Sequence, residues 1–328
     1  MSQLQVRRRL HFMKVFVVGG SCAIGSRVRE GIVTTATSAA DFERHRGYLT
    51  SVAYRMLGTL HDAEDAVQET YLRHLRTTAD IHDLRAWLTR TISRICLDEI
   101  GSARARRESY VGQWLPEPVV GGLHGLAQLP MGPEDRITLD ESVSMAMLVL
   151  LESLSPAERT AFILHDTLGL SYDEVSETLG RSHAACRQLV ARARAHVRQN
   201  SPRFTPDRTQ HADAVKAFLA AAARGDIEKL IRVLDPDVTL RSDGGGLVSG
   251  VARRPVTGAD RVARLLLGVA AKRAATSHAG AVNGSPGLIF EDDTGVVGVM
   301  AFSVSGGLIT EIDFVVNPEK LRRVDPHR

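Results

Sequence analysis

The residues best suited to chemistry lie between Ser155 and Arg198. Arg181, Arg187, Arg192, Arg194 and Arg198 stand there with His183 and His196, and from Arg181 onward this stretch holds no carboxylate. A helix whose exposed face is all cationic repels itself unless a polyanion answers it. The residues before it prescribe how it is presented. Ser155 and Pro156 start one helix, with Glu158 three residues after the serine. Ser171 starts another, again with Glu174 three residues on, the spacing of a reciprocal capping box. Leu179-Gly180 makes a tight turn and Ser182 caps the basic helix. Two short helices joined at a glycine, the second basic, form a helix-turn-helix, and the chemistry it offers is DNA binding.

Two other clusters carry charge in a pattern. Asp62-Ala63-Glu64-Asp65-Ala66-Val67-Gln68-Glu69 lines carboxylates along two turns. An acidic first turn complements the helix dipole, but that does not account for Glu69 beside an uninterrupted apolar stripe, so a protein partner fits better. Further on, Trp87 precedes Arg104, Arg106 and Arg107, and an aromatic ring near basic side chains suits stacking and phosphate tracking on single-stranded DNA. At the N-terminus, Lys14–Val18 reads as a strand running into Gly19-Gly20-Ser21-Cys22-Ala23-Ile24-Gly25, like a dinucleotide-binding turn with Cys22 in place of its second glycine. The βαβ unit that such a turn requires does not follow, and no cofactor is expected. Cys22, Cys96 and Cys186 are too widely spaced for a zinc site, and neither a disulfide partner nor a metal is expected, which suits a reducing cytoplasm.

The elements that must position these residues follow from apolar periodicity. Phe42, Leu49, Val52, Ala53 and Met56 mark one amphipathic helix; Ala63, Ala66, Val67 and Tyr71 a second; Leu84, Leu88, Ile92, Ile95 and Cys96 a third. Three such stripes with short joints make a helical bundle over 41–110. Residues 1–40 read as an N-terminal extension, disordered or outside the core. Residues 111–134, with Trp114-Leu115-Pro116-Glu117-Pro118, lack helical period and read as a stiff linker. Helices resume over 135–200. From 207 to 323 two helices lead into strands at Val238–Arg241, Gly287–Phe290, Val296–Val304 and Leu308–Val316, an α+β unit with a curved antiparallel sheet.

The whole has 328 residues, and 41 Lys and Arg against 38 Asp and Glu leave a net charge of only +3, so bulk charge decides nothing about partners. No apolar run approaches the roughly 20 residues of a membrane span, and no membrane partner is expected.

Together these parts resemble a known family. Asp62 to Thr70, then Arg85-Ala86-Trp87-Leu88, then Arg94-Ile95-Cys96-Leu97-Asp98, look like region 2 of a bacterial sigma factor, and Leu154 to Arg159 with the helix-turn-helix looks like region 4. The short span between them matches the extracytoplasmic-function (ECF) group. The Trp114–Pro118 linker, Asp243-Gly244-Gly245-Gly246 and Asn317-Pro318-Glu319-Lys320-Leu321 are similar to motifs of its SigI- and SigJ-like subgroup, which carries a SnoaL-like (NTF2-like) cone fused to region 4. One departure is Leu247, where a lysine commonly follows the glycines.

The resemblance implies a multidomain protein of two all-α sigma regions and an α+β cone. It implies a transcription initiation factor that is not an enzyme, with core RNA polymerase (β′ clamp and β flap) and promoter DNA as partners. Asp62, Asp65, Gln68 and Glu69 would dock on the clamp. The segment from Thr77 to Arg94, including Arg85, Trp87 and Arg94, would open and read the minus-10 element. The helix after Arg181 and Ser182 would enter the major groove at the minus-35 element, with His183, Arg187 and Gln188 toward base edges and Arg192 and Arg194 toward phosphates. The linker, the Asp243–Gly246 loop and Asn317–Leu321 would regulate the sigma regions in cis. The competing expectation is a cyclase- or isomerase-type enzyme, or a ligand sensor with an unknown small ligand in the cone. Asp243, Asp313 and His278 are its available acids and bases.

Overall fold

The computed structural model describes residues 26–108, 110–121, 144–200, 208–271 and 275–324, and the side chains within those spans except at 26–38, 102–108 and 200. Helix α1 runs over Ser26–Leu57, α2 over Leu60–Arg76 and α3 over Leu84–Glu108. The helix expected to begin at Asp41 is already formed from Ser26, and residues 26–40 are not irregular: the stretch has no proline to break the helix. The Gly19–Gly25 turn lies outside the described residues.

Region after region, the local rules hold. Thr59 caps α2, its hydroxyl accepting from the Asp62 N–H at 3.2 Å while donating to the Asp62 carboxylate at 2.6 Å. Helices α4 (Met145–Glu152) and α5 (Pro156–Phe162) follow, the second passing into a π-helical turn at Ile163–Thr167. Helix α6 (Tyr172–Leu179) and the long basic helix α7 (His183–Asn200) form the helix-turn-helix. The capping boxes Ser155/Glu158 and Ser171/Glu174 are both formed, and Gly180 turns the chain between α6 and α7 at φ 61°, a left-handed conformation that glycine adopts without strain. The bundle and the second helical unit share one apolar core, in which Leu49, Val52, Met56, Leu88 and Ile92 pack with Leu148, Leu151, Leu154 and Ile163.

The C-terminal unit opens with α8 (Arg208–Ala223) and α9 (Ile227–Val233). Strands β1 (Leu234–Asp243), β2 (Val256–Thr257), β3 (Thr276–Val282), β4 (Ser285–Asp292), β5 (Gly295–Ser305) and β6 (Leu308–Val315) follow, with α10 (Ala259–Ala270) between β2 and β3 and α11 (Pro318–Leu321) at the end. The sheet order is β2-β1-β6-β5-β4-β3. The expected all-antiparallel sheet is mixed: β1 and β6 run parallel, because the chain leaves β1 for α10 and the β3–β5 meander before returning beside it. Leu240, Met300, Phe302 and Ile312 face the helices inside the cone. The opposite sheet face, through Val299, Ala301 and Val315, packs on Leu115 of the linker and Met145 of α4. The cone is thus clasped to the sigma-like helices by its outer face, leaving the inner face to its own helices.

Candidate regulatory and nucleic-acid-binding surfaces

The outer-face contact is built around buried charge. Asp243 at the end of β1 is fully buried, and its carboxylate accepts from the Tyr110 hydroxyl (2.5 Å), the Leu115 N–H (2.9 Å), the Gly245 N–H (3.1 Å) and the Lys320 ammonium (2.7 Å). The Lys320 ammonium also donates to the Leu115 carbonyl and lies 4.1 Å from the Trp114 ring centre. Asn317 donates to the Tyr110 hydroxyl at 2.8 Å. Burial and the adjacent Asp243 carboxylate push the Tyr110 phenol well above its ordinary range, so it stays a donor. The glycines of the Asp243–Gly246 loop are steric necessities. A Cβ on Gly245 would come within 2.5 Å of Asn317, and one on Gly246 within 2.9 Å of Val111. Three separate motifs of the sequence thus meet in one place, linker to loop to C-terminal segment. Of their residues, Pro318 and Glu319 are exposed, and Leu247 is exposed as well.

The linker also grips the helical bundle. Glu117 is buried and accepts the Leu60 N–H at 2.8 Å, so a linker side chain caps the first turn of α2. Its burial pushes its carboxyl above the ordinary carboxylate range. The Tyr54 hydroxyl donates to the Glu117 carbonyl at 2.6 Å and receives the Asn283 amide at 2.8 Å, and a Cβ on Gly58 would meet the Trp114 ring. From the far end of the chain, Arg323 bridges Glu64 on α2 at 2.7 Å. The acidic helix is therefore held at its start by the linker and on one flank by the C-terminal segment. Substituting Glu117 with alanine removes the cap and is expected to lower stability by about 1 kcal/mol, with glutamine retaining most of it, as urea titration will read.

On α2 itself, Asp65 and Gln68 are exposed, Glu69 pairs with Arg73 at 2.9 Å, and Asp62 is engaged in the Thr59 cap. On α3, Arg85 is exposed above the Tyr48 ring at 4.4 Å, and Trp87 is half-buried against the core beside His74. Arg94, expected at promoter DNA, donates here to the carbonyls of Glu177 (2.6 Å) and Thr178 (3.3 Å) at the C-terminal end of α6. Those carbonyls lack helical partners and carry the negative end of the helix dipole, which is what attracts the guanidinium. Arg90 adds an ion pair to Glu177 at 2.6 Å. Beneath them the buried Arg159 donates to the Arg55 carbonyl (3.2 and 2.9 Å) and pairs with Glu152. Burial pulls its guanidinium down to about 9, still charged at neutral pH. Arg104, Arg106 and Arg107 lie on α3, but their side chains fall outside the described residues.

Arg181 and Ser182, just before α7, and Arg187, Gln188 and Arg192 on it are exposed. Two expected contacts are altered by neighbours that the sequence order hides. His183 pairs with Asp173 at 3.1 Å and packs on Tyr172, and Arg194 makes a two-pronged bridge to Asp166 at 2.7 and 2.6 Å. A basic helix with no acid of its own thus borrows two from the helices beside it. The three acid–base candidates of the cone do not converge: Asp243 and Asp313 lie on the outer sheet face, Asp313 paired with Arg241 at 3.0 Å, and His278 is exposed on β3. Burial raises the Asp313 carboxyl to about 6.

Residues 42–106 match the family Sigma-70 region 2, and residues 144–197 match Sigma-70, region 4. The chain is 38% identical over 292 residues to the probable ECF RNA polymerase sigma factor SigI of Mycobacterium tuberculosis, covering 88% of this chain and 96% of that protein. It is 39% identical to the ECF RNA polymerase sigma factor SigJ of the same species over 293 residues, 86% and 92% of the two chains. The chain belongs to the ECF RNA polymerase sigma factors. The crystal structure of M. tuberculosis SigJ superposes with a TM-score of 0.69 at 36% identity, covering 87% of this sigma factor and 98% of that chain, so the cone is part of the shared architecture. Sigma factors bind core RNA polymerase and promoter DNA. Among the described residues of this sigma factor, no helix is long and apolar enough to cross a membrane, and no group of three His, Cys, Asp or Glu is placed to hold a metal ion.

Proposed function

We propose that this sigma factor docks core RNA polymerase through α2 and reads promoter DNA through α3 and α7, while its cone holds the two sigma regions closed in cis. Asp65, Gln68 and Glu69 present the acidic face to the β′ clamp, region 4 meets the β flap, and α7 enters the major groove at the minus-35 element. The observation that carries the regulatory part is the double hold on α2, by Glu117 at its first turn and Arg323 at Glu64. The Arg94 contact to α6 supports it, because a residue that faces promoter DNA in the working state is occupied by region 4 in the closed one. The docking surface is testable without disturbing the fold, since Asp65 is exposed and only 3.8 Å from His61 as its nearest ionic neighbour. Asp65→Arg is expected to abolish co-purification with core polymerase while leaving the unfolding transition in place. Retention of the complex by this variant would refute docking through α2.

Promoter readout has its own prediction. Arg187 is exposed and stands 5.6 Å from the Tyr172 ring centre, with no carboxylate paired to it among the described residues. Arg187→Ala is expected to cost about 1–3 kcal/mol of duplex binding, confined to one base pair of the minus-35 element. A uniform loss across all sequences, in competition binding with single-base variants, would instead make it a phosphate contact.

A further inference from the structure

The cone contains a cavity of about 470 Å³ at its mouth, between the ends of β1 and β6, helix α10 and the Ser249–Ala252 loop. That volume lies in the range of small-molecule sites. Its wall is apolar, with Leu240, Leu266, Val269 and Phe314, and Arg264 stands at its edge. Arg253 and Arg254 are exposed beside the lining residue Ala252, and Arg264 is paired with Asp260 at 2.8 Å. Resting on the cis-regulatory reading above, we propose that this cavity is an effector site for an amphiphilic small molecule with one anionic group, and that its occupancy is transmitted to the buried contact around Asp243.

The transmission is a matter of strand geometry. Side chains alternate across a strand, so neighbours in sequence face opposite sides of the sheet. Ser242 lines the cavity and Asp243, the next residue, holds Lys320 on the other face. Just past the end of the paired strand β6, Val316 lines the cavity and Asn317, the next residue, holds Tyr110. The two ends are tied together by the Val316 N–H donating to the Asp243 carbonyl at 2.8 Å. From the side, Val251 of the cavity loop packs on Gly244, 3.1 Å from where a Cβ would stand. Anything that moves this wall moves both residues that fasten the linker. Asp243, Asp313 and His278 do not line the cavity, whose hydroxyls among the described residues are Ser242 and Ser249, so the site suits holding a ligand and carries none of the acid–base candidates.

Decanoate, decyl phosphate and decanol serve as probes on the full chain, without polymerase, by calorimetry and by ¹⁹F resonances of 5-fluorotryptophan. Trp114 lies over Lys320 and reports the linker contact; Trp87→Phe assigns its resonance. Saturable binding of one equivalent of either anion is expected, with decanol about tenfold weaker and Arg264→Glu weakening the anions to a similar degree. The Trp114 resonance should shift on binding. Gly268, a lining residue on α10 with nothing within 4 Å of its Cβ position, provides the blocking variant: Gly268→Phe places a ring at the cavity and should abolish both binding and shift. The preferred anion, carboxylate or phosphate, identifies the headgroup. No saturable binding, equal affinity for decanol, or binding undiminished in Gly268→Phe overturns the site. Binding with an unmoved Trp114 resonance overturns the transmission. None of these outcomes depends on transcription, so a failure of the cis-regulatory reading itself, seen with polymerase, remains distinguishable.

Discussion

Asp243→Ala is expected to destabilise the closed chain by about 3–5 kcal/mol, the usual consequence of leaving one member of a buried ion pair behind. The size of the effect follows from the surroundings of Lys320, whose side chain is 9% exposed. With the carboxylate gone its ammonium keeps the Leu115 carbonyl and two aromatic rings, which do not replace a charge. Lys320→Met is expected to cost less, because Asp243 retains the Tyr110, Leu115 and Gly245 donors. The double variant removes both charges together, and a double-mutant cycle should return a coupling of about 2–3 kcal/mol. Urea titration reads the stability, and chymotryptic cleavage after Trp114 reads release of the linker. Additive costs with no coupling would mean that the two residues act on separate parts of the fold. The functional counterpart is expected to move with it: freeing the linker withdraws Glu117 from the start of α2, so Asp243→Ala should bind core polymerase more readily than the parent chain, in proportion to the linker's exposure.

Much of this architecture is legible from local chemistry, and what is not legible is consistent in kind. Both capping boxes and the Gly180 turn are decided within a few residues, so the helix-turn-helix can be placed before any tertiary contact is known. The three bundle helices follow from apolar stripes, although the start of α1 does not, since five Ser and Thr and a glycine stand among residues 26–40. In the cone, β3 is missed because Thr276-Ser277-His278-Ala279-Gly280 has few β-branched residues and lies largely exposed, held by pairing with β4 rather than by burial. Helix α10 is missed where strand signals dominate its surroundings. The candidate site divides the same way. Asp243, Lys320 and Trp114 each stand in a recognisable motif, but that they converge is set by a parallel β1–β6 pairing between residues 72 positions apart, as at Arg241 and Asp313. Arg94 and Arg194 read along the chain as DNA contacts, and the partners they have here, the Glu177 carbonyl and Asp166, come from other helices. Charge and exposure can be read along the chain; which charge answers which cannot.

The same contact between α3 and α6 sets the last and largest expectation. The minus-10 and minus-35 elements are separated by roughly 25 base pairs, on the order of 85 Å at about 3.4 Å per step. Duplex of that length is far below the persistence length of about 150 base pairs, so it cannot fold back to bring both elements to one place. In the closed chain, Arg90 of α3 and Glu177 of α6 are 2.6 Å apart. Helices in such contact cannot occupy both elements, and the interface must open before the promoter is read. Its ionic contacts are partly exposed and exchange readily with water, so the cost of opening lies in the apolar core that the two sigma regions share. Joining Arg90→Cys to Glu177→Cys with a short reducible bismaleimide, in a chain with Cys22 replaced by serine, should therefore eliminate promoter-specific transcripts. The native Cys96 and Cys186 are buried and spared by the reagent. Cleaving the bridge should restore transcription to the level of the unbridged variant, which separates closure from damage by the substitutions. A bridged chain that still yields transcripts from the same promoter would show that the two sigma regions act on DNA without parting. In that case Arg94 is never a promoter contact, and its place at the end of α6 is its working position.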